Sequence, residues 1–180
     1  KTSEFTSHVA PKRIENWTIL LVSINKNAAP MKKNGQRLFR HDSRGLAVNR
    51  RHANTWAKLG QIHRIRGEYD ASADAYAEAL KLQPDYAWAH NGYGLALKAL
   101  GRITEAVLAF KRATRYQPDV VWHWYNLAET LVSAGRHQEA LQPIQQATQL
   151  DPDHAPSWSK LGQVFRYLHR HADAVQAYDR

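Results

Sequence analysis

Cysteine and long apolar runs are both absent from this chain of 180 residues. Without cysteine there is no disulfide, no thiolate metal site and no cysteine nucleophile, although the absence fits any compartment. The apolar stretch over residues 19–24, interrupted by Ser23, is far shorter than the roughly 20 residues of a membrane helix. No signal-peptide cleavage pattern follows it. We therefore predict no membrane partner.

Positive charge is concentrated near the amino terminus. Residues 1–51 hold eleven Lys and Arg against three acids, a net charge of +8, whereas residues 52–180 carry only +1. Because nucleic-acid binding needs a dense positive face, this distribution argues against nucleic acid as the partner of the main domain.

A repeat of 34 residues dominates the chain from about residue 53 onward. Large and small residues keep this register at several positions in four successive units, and internal periodicity of this kind indicates a repeat architecture. The aligned sets are Trp56, His90, Trp124, Trp158; Leu59, Tyr93, Leu127, Leu161; Gly60, Gly94, Ala128, Gly162; Ser72, Ala106, Ala140, Ala174; and Tyr76, Phe110, Ile144, Tyr178.

Each unit is predicted to form a helical hairpin. In the first, Trp56, Leu59, Gly60 and His63 share one face of a helix, and Gly67 ends it. A second helix is predicted from about Asp70 to Leu82, where Pro84 stops it, with Ala73, Tyr76, Ala79 and Leu80 buried. The small Gly60 and Ser72 are expected to let the paired helices approach closely.

The motifs WAKLG, NLAETL, WSKLG and GRITEAVLAFKRATRYQPD resemble the tetratricopeptide repeat (TPR) family. The resemblance implies an all-α, right-handed TPR solenoid. It divides the chain into a basic arm or cap at 1–52 and a TPR domain at 53–180, with repeats 53–86, 87–120 and 121–154 and a partial repeat 155–180.

Some positions depart from the family pattern. His90 and Tyr93 replace the usual Trp and Leu. His169 replaces the glycine between the helices of repeat four, so we expect that turn to differ. Pro143 lies inside a helix, where the missing N–H predicts a local kink. Asp85, Asp119 and Asp153, which follow turn prolines, are predicted to cap the next helices.

The arm before the repeats is predicted to be irregular or strand-like. Residues 16–25 fit either an amphipathic helix or a short strand, and we favour the strand or extended form because Thr, Ile and Val dominate. Residues 43–51 are predicted to form a short helix, with Ser43 as N-cap, that covers the open end of the first repeat. The arm is either a solvated leader, a basic dock for an acidic partner or nucleic acid, or an insert into a neighbouring subunit.

In the family, the first helix of each repeat lines a concave groove, at the second, fifth, ninth and twelfth positions of the repeat. Trp124 falls instead at a core position, whereas Trp122 and Tyr125 fall on the groove stripe with Trp88. The alternative for Trp88 and Trp122 is packing between repeats. The resulting partner-binding candidates are Arg64, Trp88, Asn91, Leu95, Lys98, Trp122, Tyr125, Asn126, Glu129 and Arg166.

Two known TPR sites do not fit these positions. The clamp that grips a chaperone tail needs Lys, Asn and Arg where this chain has Ala57, Gln61, Gly92, Trp122 and Asn126. The asparagine ladder of a related family of sugar-transferring enzymes is matched only by Asn126, because Lys58, Gly92 and Lys160 stand at its other positions.

No catalytic motif is present, and the ten histidines are scattered. His169 and His171, two residues apart, point to different helix faces, which argues against a shared metal. We therefore predict no catalysis, no cofactor and no metal.

The function predicted is a protein–protein interaction scaffold that binds a partner protein or peptide in the groove. Two alternatives stay open. One is a structural subunit that self-assembles end to end through its arm and its apolar solenoid ends. The other is a regulatory segment of a larger enzyme such as a glycosyltransferase, since the chain begins at Lys1 and ends inside a helical pattern.

Overall fold

The computed structural model describes the backbone of residues 43–180 and the side chains from residue 51 onward. The predicted arm up to residue 42 lies outside these described residues. Residues 42–180 form one compact unit, and within 43–180 every regular element is a helix. Their bounds are α1 Ser43–Ile65, α2 Tyr69–Leu82, α3 Ala87–Ala99, α4 Ile103–Tyr116, α5 Val121–Ser133, α6 His137–Leu150, α7 Ala155–Tyr167 and α8 His171–Tyr178. The all-α solenoid of hairpins is therefore confirmed.

Helix α1 is longer than the repeat pattern indicates. It begins at Ser43 and continues without a break to Ile65, so the short helix expected over residues 43–51 is wrong as a separate element. Its residues extend the first helix of repeat one across the proposed domain boundary at residue 52. The division into an arm and four repeats stays a prediction.

The hairpins stack so that two kinds of helix can be distinguished. Consecutive helices along the chain contact each other, and each first helix of a repeat also contacts the first helix of the next repeat. Within residues 43–180, the second helices make no such contacts with one another. The first helices, α1, α3, α5 and α7, therefore lie closer together and form the inner, concave side. We name them the inner helices and α2, α4, α6 and α8 the outer helices.

Small residues bring the two helices of a hairpin together, as the sequence predicts. The Ser72 hydroxyl donates a hydrogen bond of 2.8 Å to the Gly60 carbonyl. A Cβ added to Gly60 would lie 2.9 Å from the Tyr76 ring. Ala73, Tyr76 and Ala79 are buried, as predicted. Leu59, at the repeat position where Leu127 and Leu161 are buried, is 38% exposed.

The turn of repeat four matches the other three. Gly67, Gly101 and Gly135 have φ of 78°, 75° and 72°, and His169 has φ of 59°. In each turn, the N–H one residue further on donates a 2.9 Å bond to a carbonyl five residues back. The expectation that His169 changes the turn is wrong. Packing of the two helices holds His169 in the left-handed region, at a cost of roughly 1–2 kcal/mol for a residue with a Cβ.

Two other local expectations have different outcomes. Asp85, Asp119 and Asp153 do not cap the following helices: the N-cap residues are Tyr86, Val120 and His154, none of which makes a side-chain capping bond. The aspartates lie one residue too early.

Helix α6 runs through the buried Pro143 without interruption, so the proline does not end the helix. The kink at that point stays a prediction.

At each described junction between repeats, a ring N–H donates a hydrogen bond to a proline carbonyl. The indole N–H groups of Trp124 and Trp158 donate 2.7 Å bonds to the carbonyls of Pro118 and Pro152, six residues earlier. His90 stands in place of tryptophan in this register, and its Nε2 lies 2.8 Å from the Pro84 carbonyl. The imidazole thus replaces the indole as donor, which requires a proton on Nε2. Burial lowers the pKa of His90, and the nearby Arg112 charge lowers it further, against the opposing effect of the bond to Pro84.

Candidate functional site: the groove of the inner helices

Trp122 is the most exposed large hydrophobic side chain at the predicted groove positions. It is 53% exposed, although large aromatic side chains usually lose most of their surface on folding. The Tyr125 ring, one helical turn further along α5, meets it edge to face, with centroids 5.6 Å apart and planes at 81°. The half-buried Tyr125 therefore supports Trp122 from below and leaves much of the indole open to solvent.

A third ring completes this cluster, which we name the aromatic corner: Trp122, Tyr125 and His154. The His154 ring lies 4.7 Å from Trp122 and 5.8 Å from Tyr125, in both cases nearly perpendicular. Its Nδ1 lies 2.6 Å from the Ser157 hydroxyl, which fixes the imidazole at the start of α7. His154 was not among the residues predicted from the sequence. Tyr86, two repeats earlier in the same register, also reaches back to the preceding inner helix, where its hydroxyl lies 3.4 Å from Asn54 Oδ1. The available sequence signal was a ring at both of these positions.

Trp88 has a different environment from Trp122, although the two are one repeat apart. Its ring packs against Tyr76 at 6.1 Å and against Tyr86 at 6.0 Å. It belongs to the small apolar cluster around Ala57, Tyr76, Ala79 and Ala89. Of the two alternatives for this position, packing between repeats describes Trp88 and exposure to the groove describes Trp122.

Polar groove residues join the second and third inner helices. Asn126 Nδ2 donates a 2.9 Å hydrogen bond to Asn91 Oδ1, and Lys98 forms a 2.6 Å ion pair with Glu129. The side chains of this pair are 28% and 30% exposed. The charge of Lys98 is therefore balanced inside the groove, and each asparagine keeps hydrogen-bonding capacity beyond the bond they share.

The remaining candidates lie apart from these contacts. Arg64 lies beside the Tyr76 hydroxyl, where its charge and hydrogen bond counteract the burial that raises the pKa of Tyr76. The exposed Arg166 places its guanidinium 5.5 Å from the centre of the Tyr167 ring. Leu95 is half-buried against the main core. Burial also raises the pKa of Tyr125, as does the negative charge of Glu129, so the tyrosine is neutral at physiological pH.

Membrane-spanning helices and metal-binding clusters are both absent from the described part of the chain. Among residues 43–180, no helix combines the length and apolar character needed to cross a bilayer. The same residues contain no group of three His, Asp or Glu side chains placed to hold a metal ion.

The fold and the groove together define a helical-repeat protein with an open concave surface. Sequence profiles of two related families match: the tetratricopeptide repeat over residues 92–155 and the TPR repeat over residues 60–101. The chain belongs to the tetratricopeptide-repeat family. This fold is in general a non-catalytic scaffold for protein interaction.

Solved structures with the same fold are similar at low sequence identity. MamA matches with a TM-score of 0.69 and 18% identity over 76% of this chain and 80% of its own. YrrB, described as having an unusual peptide-binding site, matches with 0.64 and 20% identity over 91% of this chain and 80% of its own. The first TPR of Spaghetti (RPAP3), bound to an HSP90 peptide, matches with 0.65 and 15% identity over 67% of this chain and 95% of its own. No curated protein matches the sequence.

Proposed function

We propose that this protein is a scaffold whose inner helices bind an extended segment of a partner protein. The observation that carries the proposal is the aromatic corner, because Trp122 remains 53% exposed while Tyr125 and His154 support it from two sides. Exposed aromatic side chains on a rigid base are frequent centres of binding energy. No catalysis, cofactor or metal is part of the proposal.

Each groove residue has a separate role in this proposal. Trp122 and Tyr125 supply apolar contact area. The unshared hydrogen-bonding groups of Asn91 bond to the partner's backbone, and the buried Asn126 orients Asn91 through their shared bond. Trp88 stiffens the seam between the first two repeats and contributes only its exposed edge. Leu95 packs beneath the groove, and the Lys98–Glu129 pair lies in its floor. Arg64 and Arg166 remain as positive groups toward the two ends.

The similar structures support peptide binding as a property that this fold can have. YrrB and the RPAP3 domain are described with a peptide site or a bound peptide. The low identity means that their particular ligands are not carried over to this chain. End-to-end assembly and regulation of a larger enzyme stay predictions from the sequence.

Replacement of the corner residues tests the proposal. The test uses a library of displayed peptides about nine residues long. An extended peptide of this length, at roughly 3.3 Å per residue, spans the four inner helices if neighbouring axes lie about 10 Å apart. Peptides selected on the 180-residue chain would then be titrated by calorimetry. We expect the double substitution Trp122→Ala and Tyr125→Ala to weaken binding at least about 30-fold, since such anchors contribute about 2 kcal/mol or more.

Leu108→Ala provides the matched control. Leu108 is 52% exposed on the outer helix α4, so its removal also deletes exposed apolar surface, but on the convex side. Circular dichroism would verify that both variants keep their helices. If selected peptides bind the corner variant as tightly as the original chain, groove binding through Trp122 and Tyr125 is wrong.

A further inference from the structure

Charged residues are distributed unequally between the inner and outer helices of residues 53–180. The inner helices have a single acid, Glu129, against five cations: Lys58, Arg64, Lys98, Lys160 and Arg166. The outer helices have the opposite balance, with six acids, Asp70, Asp74, Glu78, Glu105, Glu139 and Asp173, against four cations, Lys81, Lys111, Arg112 and Arg115. The near-neutral domain is therefore positive on its concave side.

Within residues 53–180, ion pairs neutralise four of the six outer acids and leave four of the five inner cations unpaired. On the outer side, Glu105, Glu139 and Asp173 each pair with an arginine three residues earlier, and Glu78 pairs with Lys81. On the inner side, Lys98 pairs with Glu129. Among the described side chains, the other four inner cations form no ion pair. The groove therefore keeps positive charge that an incoming ligand can neutralise.

The register places this charge beside the aromatic corner. Lys160 occupies the sixth position of its repeat on α7, and Tyr125 occupies the fifth position of the preceding repeat on α5. Adjacent inner helices contact each other, and packed helix axes lie about 8–10 Å apart. An extended peptide covers this distance in about three residues. When one peptide residue contacts Trp122, the residue three positions away in the peptide therefore lies at the level of Lys160.

We propose that the groove selects an acidic internal segment, with an aromatic or large aliphatic residue on the corner and a carboxylate about three residues away, facing Lys160 and Arg166. This inference rests on the proposed function. It needs no free carboxyl terminus, because Ala57, Gln61 and Gly92 stand where a terminal carboxylate would be clamped. The four unpaired cations lie on only two of the four inner helices, α1 and α7. This is a sparse pattern, whereas a nucleic acid presents a charge on every nucleotide.

Peptide charge provides the first test. One probe is a nine-residue peptide blocked at both ends, with tryptophan at its centre and glutamate three positions to either side; the other has lysine at those two positions. Binding to the 180-residue chain would be measured by fluorescence anisotropy at low and at high salt. We expect the glutamate peptide to bind about tenfold more tightly at low salt, and the difference to shrink as salt screens the charges.

Charge reversal in the protein provides the second test. The double variant Lys160→Glu and Arg166→Glu is expected to weaken the glutamate peptide about tenfold or more and to strengthen the lysine peptide. The matched control is Lys111→Glu with Arg115→Glu, which makes the same change on exposed positions of the outer helix α4 and should alter affinity less than about twofold. If the reversed variant loses its helical spectrum, Lys160→Gln with Arg166→Gln replaces it.

The outcomes separate the two proposals. Equal affinity for the two peptides, with both weakened by Trp122→Ala, would overturn the charge preference and leave groove binding in place. Binding that Trp122→Ala leaves unchanged would overturn the proposed function itself. Tighter binding of a single-stranded oligonucleotide than of the glutamate peptide would overturn the choice of an acidic protein segment.

Discussion

A small residue on each inner helix faces a large residue on the outer helix of its own repeat. An added Cβ would lie 2.7 Å from the Phe110 ring at Gly94 and 2.6 Å from the Tyr178 ring at Gly162. Repeat three has Ala128 and Ile144 at these positions, both fully buried. The extra methyl of alanine is thus matched by a smaller partner, because close-packed cores respond to the volume of a single carbon atom.

This pairing gives a prediction for Gly94. Gly94→Ala should lower the free energy of unfolding by about 1–3 kcal/mol. The new methyl overlaps the Phe110 ring, and the cost of this overlap exceeds the stabilisation that the helix propensity of alanine provides. Adding Phe110→Ile recreates the pair of repeat three. Urea unfolding of both single variants and the double variant should give a favourable coupling of about 1 kcal/mol or more. Strictly additive effects would contradict the pairing.

At the scale of one element, helix α6 is unusual because it has a proline in its interior. Pro143 lies seven residues into the helix and is buried, at a position where the two preceding repeats have the buried Ala75 and Ala109. A proline there leaves the Glu139 carbonyl without its helical N–H partner. The helix is therefore held by packing of Ala140, Ile144 and Ala147 against the core and not by local preference.

Pro143→Ala should raise the free energy of unfolding by about 2 kcal/mol, somewhat less than the full cost of proline in a helix, because the unfolded chain also gains freedom. Urea unfolding measures this change. Ala109→Pro, at the equivalent place in α4, is the reverse control and should destabilise by at least as much. A Pro143→Ala variant of unchanged or lower stability would show that the proline is favoured by its packing.

At the scale of the whole molecule, two buried histidines in different repeats connect stability to pH. Burial lowers the pKa of His90 and also that of His123, the latter against the opposing charge of Asp119. Neither ring nitrogen of His123 has a hydrogen-bond partner. Because the folded state holds both rings neutral, the unfolded chain binds more protons as the pH falls below about 6.5.

The free energy of unfolding should therefore be constant above about pH 7 and fall between pH 6.5 and 5, by at most about 1.4 kcal/mol per pH unit for each histidine. Urea unfolding across this range tests it. His123→Ser, which introduces the residue that repeat four has at Ser157, should remove about half of the slope. An unchanged slope in that variant would show that His123 does not cause the pH dependence.

Periodicity made most of the fold of this molecule predictable. Each core position recurs every 34 residues, and the helices begin and end at nearly the same positions of each repeat. The limits lie where residues meet across repeats. The Asn91–Asn126 bond and the contact of His154 with Trp122 depend on the angle between successive hairpins, which composition does not encode. The exposed Trp122 and the covered Trp88 occupy the same register position, and only their neighbours distinguish them. Before residue 53 the period gave no guide, so the start of α1 was placed wrongly.

The placement of the tryptophans also has an optical consequence. Trp124 and Trp158 have their indole N–H groups bonded to proline carbonyls in the same way, and Trp56 and Trp88 are half-buried. Among the described residues, Trp122 is the indole most open to water. Among the described tryptophans we expect its emission to lie furthest to the red, and we expect a ligand that covers the corner to shift the spectrum to the blue. If the proposed groove binding is correct, the protein would report groove occupancy through its own fluorescence, without any added label.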